Sequence, residues 1–454
     1  MSLLSKQELI GFRDQMIQSY HDFVEDLRED GPEEETDGLS QDFLDHFKFV
    51  AESKALNEYS PLNFYWVNLV DNLIYVLQMW QDGDEEGLVD FWTESEYAEA
   101  YIEASNLGET PLDITNNLMP LLEGQVLGFY HWHISSHHKA KENPTLYQQV
   151  TDIGDHDLGI RIGENHFVAP PEAHNDAPSL PFWTKSFKDE TVSLDDDDGE
   201  LLGGMQKLES ILIDKPITLK GSTPEIDKDI SDHKAKIETA INIIKDSSPS
   251  CFEAFKIFTN SLILIDEPGV VSYSLQSLPG YSNINIVERD HIDLIDDLVH
   301  ENGHHLLNAI LNDQELLEED DDKVFWSPWR KALRPIRGMY HGYMTFIWAY
   351  ILFKDLSQSN KSKFSDSDKE KISLRFIEEY LMLSFCHDQL DHAYKEKKIT
   401  DAGYELFNKS RKFLVADKDF VTDKLSKLSN ANKVTISELE DHLIKAKTEY
   451  LSFI

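Results

Sequence analysis

The sequence predicts a mainly α protein of the α+β class. A helical N-terminal region with an acidic, proline-rich connector covers residues 1–200, and a helical metal-binding domain with a small antiparallel sheet covers 201–454. Three observations predict it. Apolar residues recur at helical spacing towards both ends of the chain, strand-like runs bounded by turn residues cluster between 261 and 287, and helical periodicity returns after Asp290. At 454 residues, 41% hydrophobic and 11% aromatic, the chain can bury a large core.

Residues 1–140 read as helical. Phe43, Phe47 and Val50 share a face, and Leu62 to Trp80 is a dense apolar-aromatic helix or helix pair. Asp30-Gly31-Pro32-Glu33-Glu34-Glu35 interrupts the pattern as an exposed loop. From 140 to 200 the periodicity fades. Ala169-Pro170-Pro171, Ala177-Pro178, Leu180-Pro181 and Asp195-Asp196-Asp197-Asp198-Gly199 form the extended connector. Tyr130-His131-Trp132-His133 and His137-His138 read as a mixed helix end in preference to a second metal site. Helix resumes over 233–248. Ser261 to Asp266 is strand-like, Glu267-Pro268-Gly269 a turn, Val270 to Leu275 a second strand and Asn283 to Val287 a third. From Asp290 to Ile454 the reading is helical.

Charge narrows the partners. With 42 Lys+Arg against 84 Asp+Glu, the net charge is 42 − 84 = −42. Nucleic-acid affinity comes mainly from cations that neutralise phosphates, so neither nucleic acid nor an anionic membrane is expected as a partner. A neutral or cationic partner, such as a peptide with basic residues, suits this field. Two cysteines, Cys251 and Cys386, make no disulfide framework. Met1 to Phe12 is too polar for a secretory signal, and Tyr343 to Phe353 falls short of the ~20 apolar residues that span a bilayer. A cytoplasmic location is therefore expected.

The chemistry gathers between residues 300 and 341. His300-Glu301-Asn302-Gly303-His304 is a His-Glu-x-x-His pattern, and histidines at i and i+4 lie one above the other on a helix face, where both imidazoles can grip one ion. Leu294, Ile295, Leu298, Leu306, Leu307 and Ile310 supply the helix with apolar faces, Asp290 or Asp293 can cap its start, and Gly303 marks the close approach of another backbone. A five-residue pattern also arises by chance. The apolar helix, the preceding sheet and the further ligand candidates downstream argue against chance here. An open metal site needs a third ligand. His341, at the start of a strongly apolar helix, is favoured; Glu378 and Glu379 are the alternatives, and His387 and His392 lie in a polar run. Arg330, Arg334 and Arg337 stand out in so acidic a chain. Guanidinium forks bind carboxylates in pairs, so these three suit a dicarboxylate cosubstrate or a peptide C-terminus; the alternative is that they answer the acidic run from Glu315 to Asp322.

Leu298-Val299-His300-Glu301-x-x-His304, followed by Ser327-Pro328-Trp329-Arg330, Arg334-Pro335 and His341-Gly342-x-x-x-Phe346, resembles the HExxH-motif peptide-modification proteins associated with ribosomal peptide natural products. Members are described as 2-oxoglutarate- and iron-dependent peptide β-hydroxylases. The resemblance spans residues 255–350 and implies Fe(II) held by His300, His304 and His341, with Arg330 or Arg334 on the distal carboxylate of 2-oxoglutarate. Glu301 would then orient a ligand or water. In the alternative, a zincin-type zinc peptidase, Glu301 is the general base. A non-catalytic, metal-stabilised peptide-binding module is the third class. Val270 to Leu275 or Asn283 to Val287 offers a strand edge to an extended peptide in any of them.

Overall fold

A computed structural model describes residues 3–30, 61–94 and, with short breaks, 217–451, together with the stretches 159–162, 165–168, 184–186 and 206–207 and a few single residues. Of the expected loop at 30–35, residues 31–35 lie outside the described residues, as do the helix face of Phe43, Phe47 and Val50, the connector motifs between 169 and 199, and the histidine cluster at 130–138.

The protein is mainly helical with a small sheet, and its chain divides into two compact units. Met1–Met16, Lys207–Gly221 and Lys228–Ile454 form the first; Ile17–Gln206 and Ser222–Asp227 form the second. Helix α1 (Lys6–Asp30) begins in the first and continues into the second. Within the second unit lie α2 (Pro61–Asp82), α3 (Glu85–Glu94) and an antiparallel sheet of β1 (Gly159–Ile162), β2 (Asn165–Val168) and β3 (Thr184–Ser186). The aromatic run read from the sequence makes α2: Trp66, Leu69, Leu73 and Leu77 are buried, and the Trp66 indole N–H donates to the Val126 carbonyl at 3.0 Å.

The first unit contains the His-Glu-x-x-His segment. Its sheet has the order β4-β5-β6-β8-β7, with β4 (Gln206–Lys207), β5 (Thr218–Gly221), β6 (Ser261–Ile265), β7 (Tyr273–Ser274) and β8 (Tyr281–Asn285). Two helices, α4 (Ile230–Ser247) and α5 (Pro249–Phe258), connect β5 to β6. The antiparallel sheet expected from the sequence is corrected here. β5, β6 and β8 run parallel, β6 and β8 in the register Ser261↔Tyr281 to Ile265↔Asn285, and the two-residue β7 pairs antiparallel with β8 at the edge. Burial explains the difference. Every residue of β6 and β8 is covered, as parallel strands between helical layers are, whereas Val270 and Val271 are exposed on the crossover instead of forming a hairpin partner.

Helix α6 (His291–Asp313) follows β8 after a short connection. Both aspartates that the sequence offers as caps act together. Asp290 accepts from the amides of Ile292 and Asp293, and Asp293 accepts from the Asp290 amide, a reciprocal capping box. A two-stranded hairpin, β9 (Phe325–Ser327) and β10 (Ala332–Arg334), then interrupts a segment read from sequence as helical. Short strands around Pro328 carry too little periodicity to register in a helical reading. The hairpin leads into α7 (Ile336–Gln358), which packs against both α6 and α8 (Asp366–Lys395). Three further helices close the unit: α9 (Asp401–Ala416), α10 (Lys418–Lys427) and α11 (Asn430–Tyr450). Among the described residues no helix is long and apolar enough to cross a membrane.

Candidate metal centre

α6 is pinned from three sides before any ligand is considered. His305, fully buried, accepts from the Gly280 amide at Nδ1 (3.0 Å) and pairs through Nε2 with the Ser282 hydroxyl (2.8 Å), which ties the helix to the sheet. Asn302 donates to the Ala254 carbonyl and the Thr259 hydroxyl, which ties it to α5. Gly303 lets α7 approach: a Cβ at this position would lie 3.4 Å from both the Cα and the carbonyl oxygen of Thr345. Gly303 thus marks the contact with another backbone that the sequence suggested. So held, α6 turns His300, Glu301 and His304 towards one point, where one ligand atom from each lies within 4.8 Å of the others.

The imidazoles form a chain. His304 Nε2 lies 3.2 Å from His300 Nε2, and His304 Nδ1 lies 2.7 Å from Nε2 of His341 on α7. His341 therefore joins the cluster, but against the ring nitrogen of His304 that faces away from His300. Burial keeps all three rings neutral: it lowers His300 and His341 to about 4 and holds His304 well below the ordinary histidine value, where His300 and His341 add to the effect. Neutral imidazoles with free lone pairs are the form a divalent cation needs. His300 Nδ1 is buried with no hydrogen-bond partner. Two imidazoles, a third beside them and a carboxylate fit Fe(II) or Zn(II).

Glu301 is almost fully buried at 2% exposure, and burial pushes its carboxyl up to about 8, against a hydrogen bond of 2.7 Å from the Ser274 hydroxyl to Oε2. That serine lies on the edge strand β7, so the motif glutamate and the open strand are in direct contact. No pattern around Ser274 betrays this in the sequence, because the partnership exists only once β7 is laid beside α6.

The arginines separate. Arg330 is exposed on the hairpin turn, and its charge disfavours protonation of His300 and His304 and favours ionised Glu301. Arg337 acts likewise on His341 and donates to the Gln276 side chain at 3.4 Å. Arg334, also exposed, lies against Gly338. Gln389 on α8 holds the turn in place by accepting from the Trp326 amide (2.8 Å) and donating to the Trp326 carbonyl (3.1 Å).

Glu378 and Glu379 are engaged elsewhere. Arg375 lies 3.6 Å from a carboxylate oxygen of each, and Trp329 donates its indole N–H to Glu379 Oε2 at 3.0 Å. Glu379 is fully buried, which raises its carboxyl to about 8. Trp329 in turn stacks on Phe346 at 4.5 Å between ring centroids, and Phe346 packs on the His300 ring at 4.3 Å. His387 meets the Tyr343 hydroxyl at 3.2 Å, inside the α7–α8 packing. The sequence reading named Trp329 and Phe346 as members of the motif without giving them a role, and it passed over Asp296, one helical turn before His300, whose Oδ2 receives Arg375 at 2.5 Å. Only that last position was accessible to helical spacing.

Compared with known proteins, the chain matches no protein-family model and no curated sequence.

Proposed function

We propose that the chain is a metal-dependent enzyme that modifies a peptide, and that its reaction is 2-oxoglutarate- and Fe(II)-dependent hydroxylation of a peptide side chain at the β-carbon. The observation that carries this reading is the cluster of three neutral imidazoles with guanidinium groups beside it. His300 and His304 would hold the ion, with His341 as third ligand once its Nε2 leaves His304 Nδ1, and Glu301 Oε1 is the carboxylate oxygen left over from the Ser274 bond. Iron bound there would couple oxidative decarboxylation of 2-oxoglutarate to hydroxylation of a C–H bond. Arg330, whose charge acts on His300, His304 and Glu301, binds the distal carboxylate of the cosubstrate, and Arg337, whose charge acts on His341, lends a second cation. β7 offers its free edge to an extended peptide, and Ser274 fixes Glu301 relative to that edge. The apolar wall of Phe346 and Trp329 keeps water from the histidines.

One observation favours the zinc peptidase reading as well: a carboxyl raised to about 8 beside two histidines is suited to taking and returning a proton. Against it, a gluzincin-type site needs a glutamate from the later helix, and Glu378 and Glu379 are both turned to Arg375. Succinate formation from 2-oxoglutarate by Fe(II)-loaded protein is the test. Turnover that is lost in His304→Ala, with a KM for 2-oxoglutarate raised about tenfold or more in Arg330→Ala, supports the oxygenase; one lost charge-assisted contact corresponds to ~1.5–3 kcal/mol. Peptide cleavage by the Zn(II)-loaded protein without any succinate would replace it with the peptidase.

A further inference from the structure

Two buried polar atoms near the histidines have no hydrogen-bond partner, and they sit on one helix face. Nδ1 of His300 is the first; Oδ1 of Asp296 is the second. The residues are four apart on α6, the spacing at which side chains of a helix meet. One can be a donor and the other is an acceptor. We propose that Asp296 is a positioning residue: once a divalent metal takes Nε2 of His300, Oδ1 of Asp296 accepts the remaining Nδ1–H, a bond that is not formed while both atoms stand unpartnered, and so holds that tautomer.

The rest of the surroundings suits this role. Arg375 from α8 takes Oδ2 of Asp296 at 2.5 Å, which anchors the carboxylate while leaving Oδ1 free. Arg375 is itself steadied by Glu378 and Glu379 on its own helix. His304 already has both ring nitrogens engaged, by His300 and His341. His300 has its Nε2 engaged, towards His304, and among the described residues nothing else hydrogen-bonds its ring. The Phe346 ring packed on it accepts no conventional hydrogen bond, and the cations whose charge reaches it, Arg375 and Arg330, have no acceptor atom. A carboxylate behind a metal-bound imidazole is the arrangement that raises its basicity and holds its plane. The inference rests on the metal-holding role of His300 and His304, and on no particular reaction.

The test uses the full chain and Zn(II) as probe, with affinity read by competition against a chromophoric chelator. Asp296→Asn keeps the shape. Its one carboxamide oxygen faces Arg375, however, and its NH2 group then faces His300, which favours the wrong tautomer. Zn(II) affinity is expected to fall about 10–100-fold in Asp296→Asn and in Asp296→Ala alike. In wild-type Zn(II) protein labelled with 15N, the His300 Nδ1 is expected to carry a slowly exchanging proton, a measurement that needs no variant to fold. Affinity within twofold of wild type in folded Asp296→Asn, or an unprotonated His300 Nδ1 in the wild type, overturns the proposal. A wild-type protein that takes up no Zn(II) overturns it together with the metal-holding reading; uptake of Zn(II) with no effect of Asp296→Asn overturns this inference alone.

Discussion

The motif histidines are separated from the residues that support the helix. His305 and Asn302 carry the contacts with the sheet and α5, while His300, His304 and His341 mainly contact one another. Replacing a ligand should therefore spare the fold. His300→Ala and His304→Ala are each expected to lose stoichiometric metal, with far-ultraviolet circular dichroism unchanged; a double variant that still holds one ion per chain would sink the site. His341→Ala is expected to weaken metal binding alongside them. Glu378→Ala and Glu379→Ala are expected to retain the metal, since their carboxylates face Arg375 and Trp329. Metal content of the five variants after one common dialysis decides the ligand set. Retention by His341→Ala and loss by Glu378→Ala or Glu379→Ala would exchange the assignments. Much of this was legible from the sequence because i, i+4 spacing, an apolar face and two cap residues are all local signals. The pairing of Glu301 with Ser274 and of Glu379 with Trp329 joins distant segments, and no local pattern encodes it.

The way each helix docks depends on a few close contacts. Gly403, near the start of α9, leaves no room for a side chain: a Cβ would collide with the Leu316 carbonyl oxygen and lie 3.0 Å from its carbon. Backbone cannot move aside as a flexible side chain does. Gly403→Ala is therefore expected to lower stability by at least ~1–3 kcal/mol, seen as a fall in the denaturation midpoint. Gly303 is the contrast, because its Cβ would make contacts of 3.4 Å and longer; Gly303→Ala should fold with near-normal stability, and Gly303→Leu should not. Gln389→Ala leaves the Trp326 amide and carbonyl unpaired, and a loss of ~1–3 kcal/mol is expected in the same measurement. Strand direction was misassigned from the sequence, as was the β9–β10 hairpin within a stretch read as helical. A run such as Leu262 to Ile265, buried on both faces, carries no alternation from which an antiparallel, half-exposed strand could be told apart.

Across the whole molecule, buried titratable groups give stability two opposite dependences on pH. His387 is lowered by burial to about 4 from an ordinary 6.5, so below 6.5 the unfolded chain binds a proton that the folded chain refuses. Its contribution is complete above that value and is lost as the pH falls towards 4. Glu379 is raised to about 8 from 4.5, so the folded chain keeps a proton that the unfolded chain has released, and its contribution is lost as the pH rises from 4.5 through 8. Urea midpoints of metal-free protein at pH 6 and pH 8.5 should therefore show a decline that is smaller in Glu379→Gln. Equal declines in the two proteins would contradict a protonated Glu379. The ring stack beside the site has an optical consequence. Trp329 is one ring away from the ring that covers His300, so an ion with unpaired electrons at the histidines should quench its emission and a closed-shell ion should not. Titration with Co(II) and with Zn(II), each compared with Trp329→Phe, would then read occupancy directly, and the protein would carry its own fluorescent gauge of how full the site is.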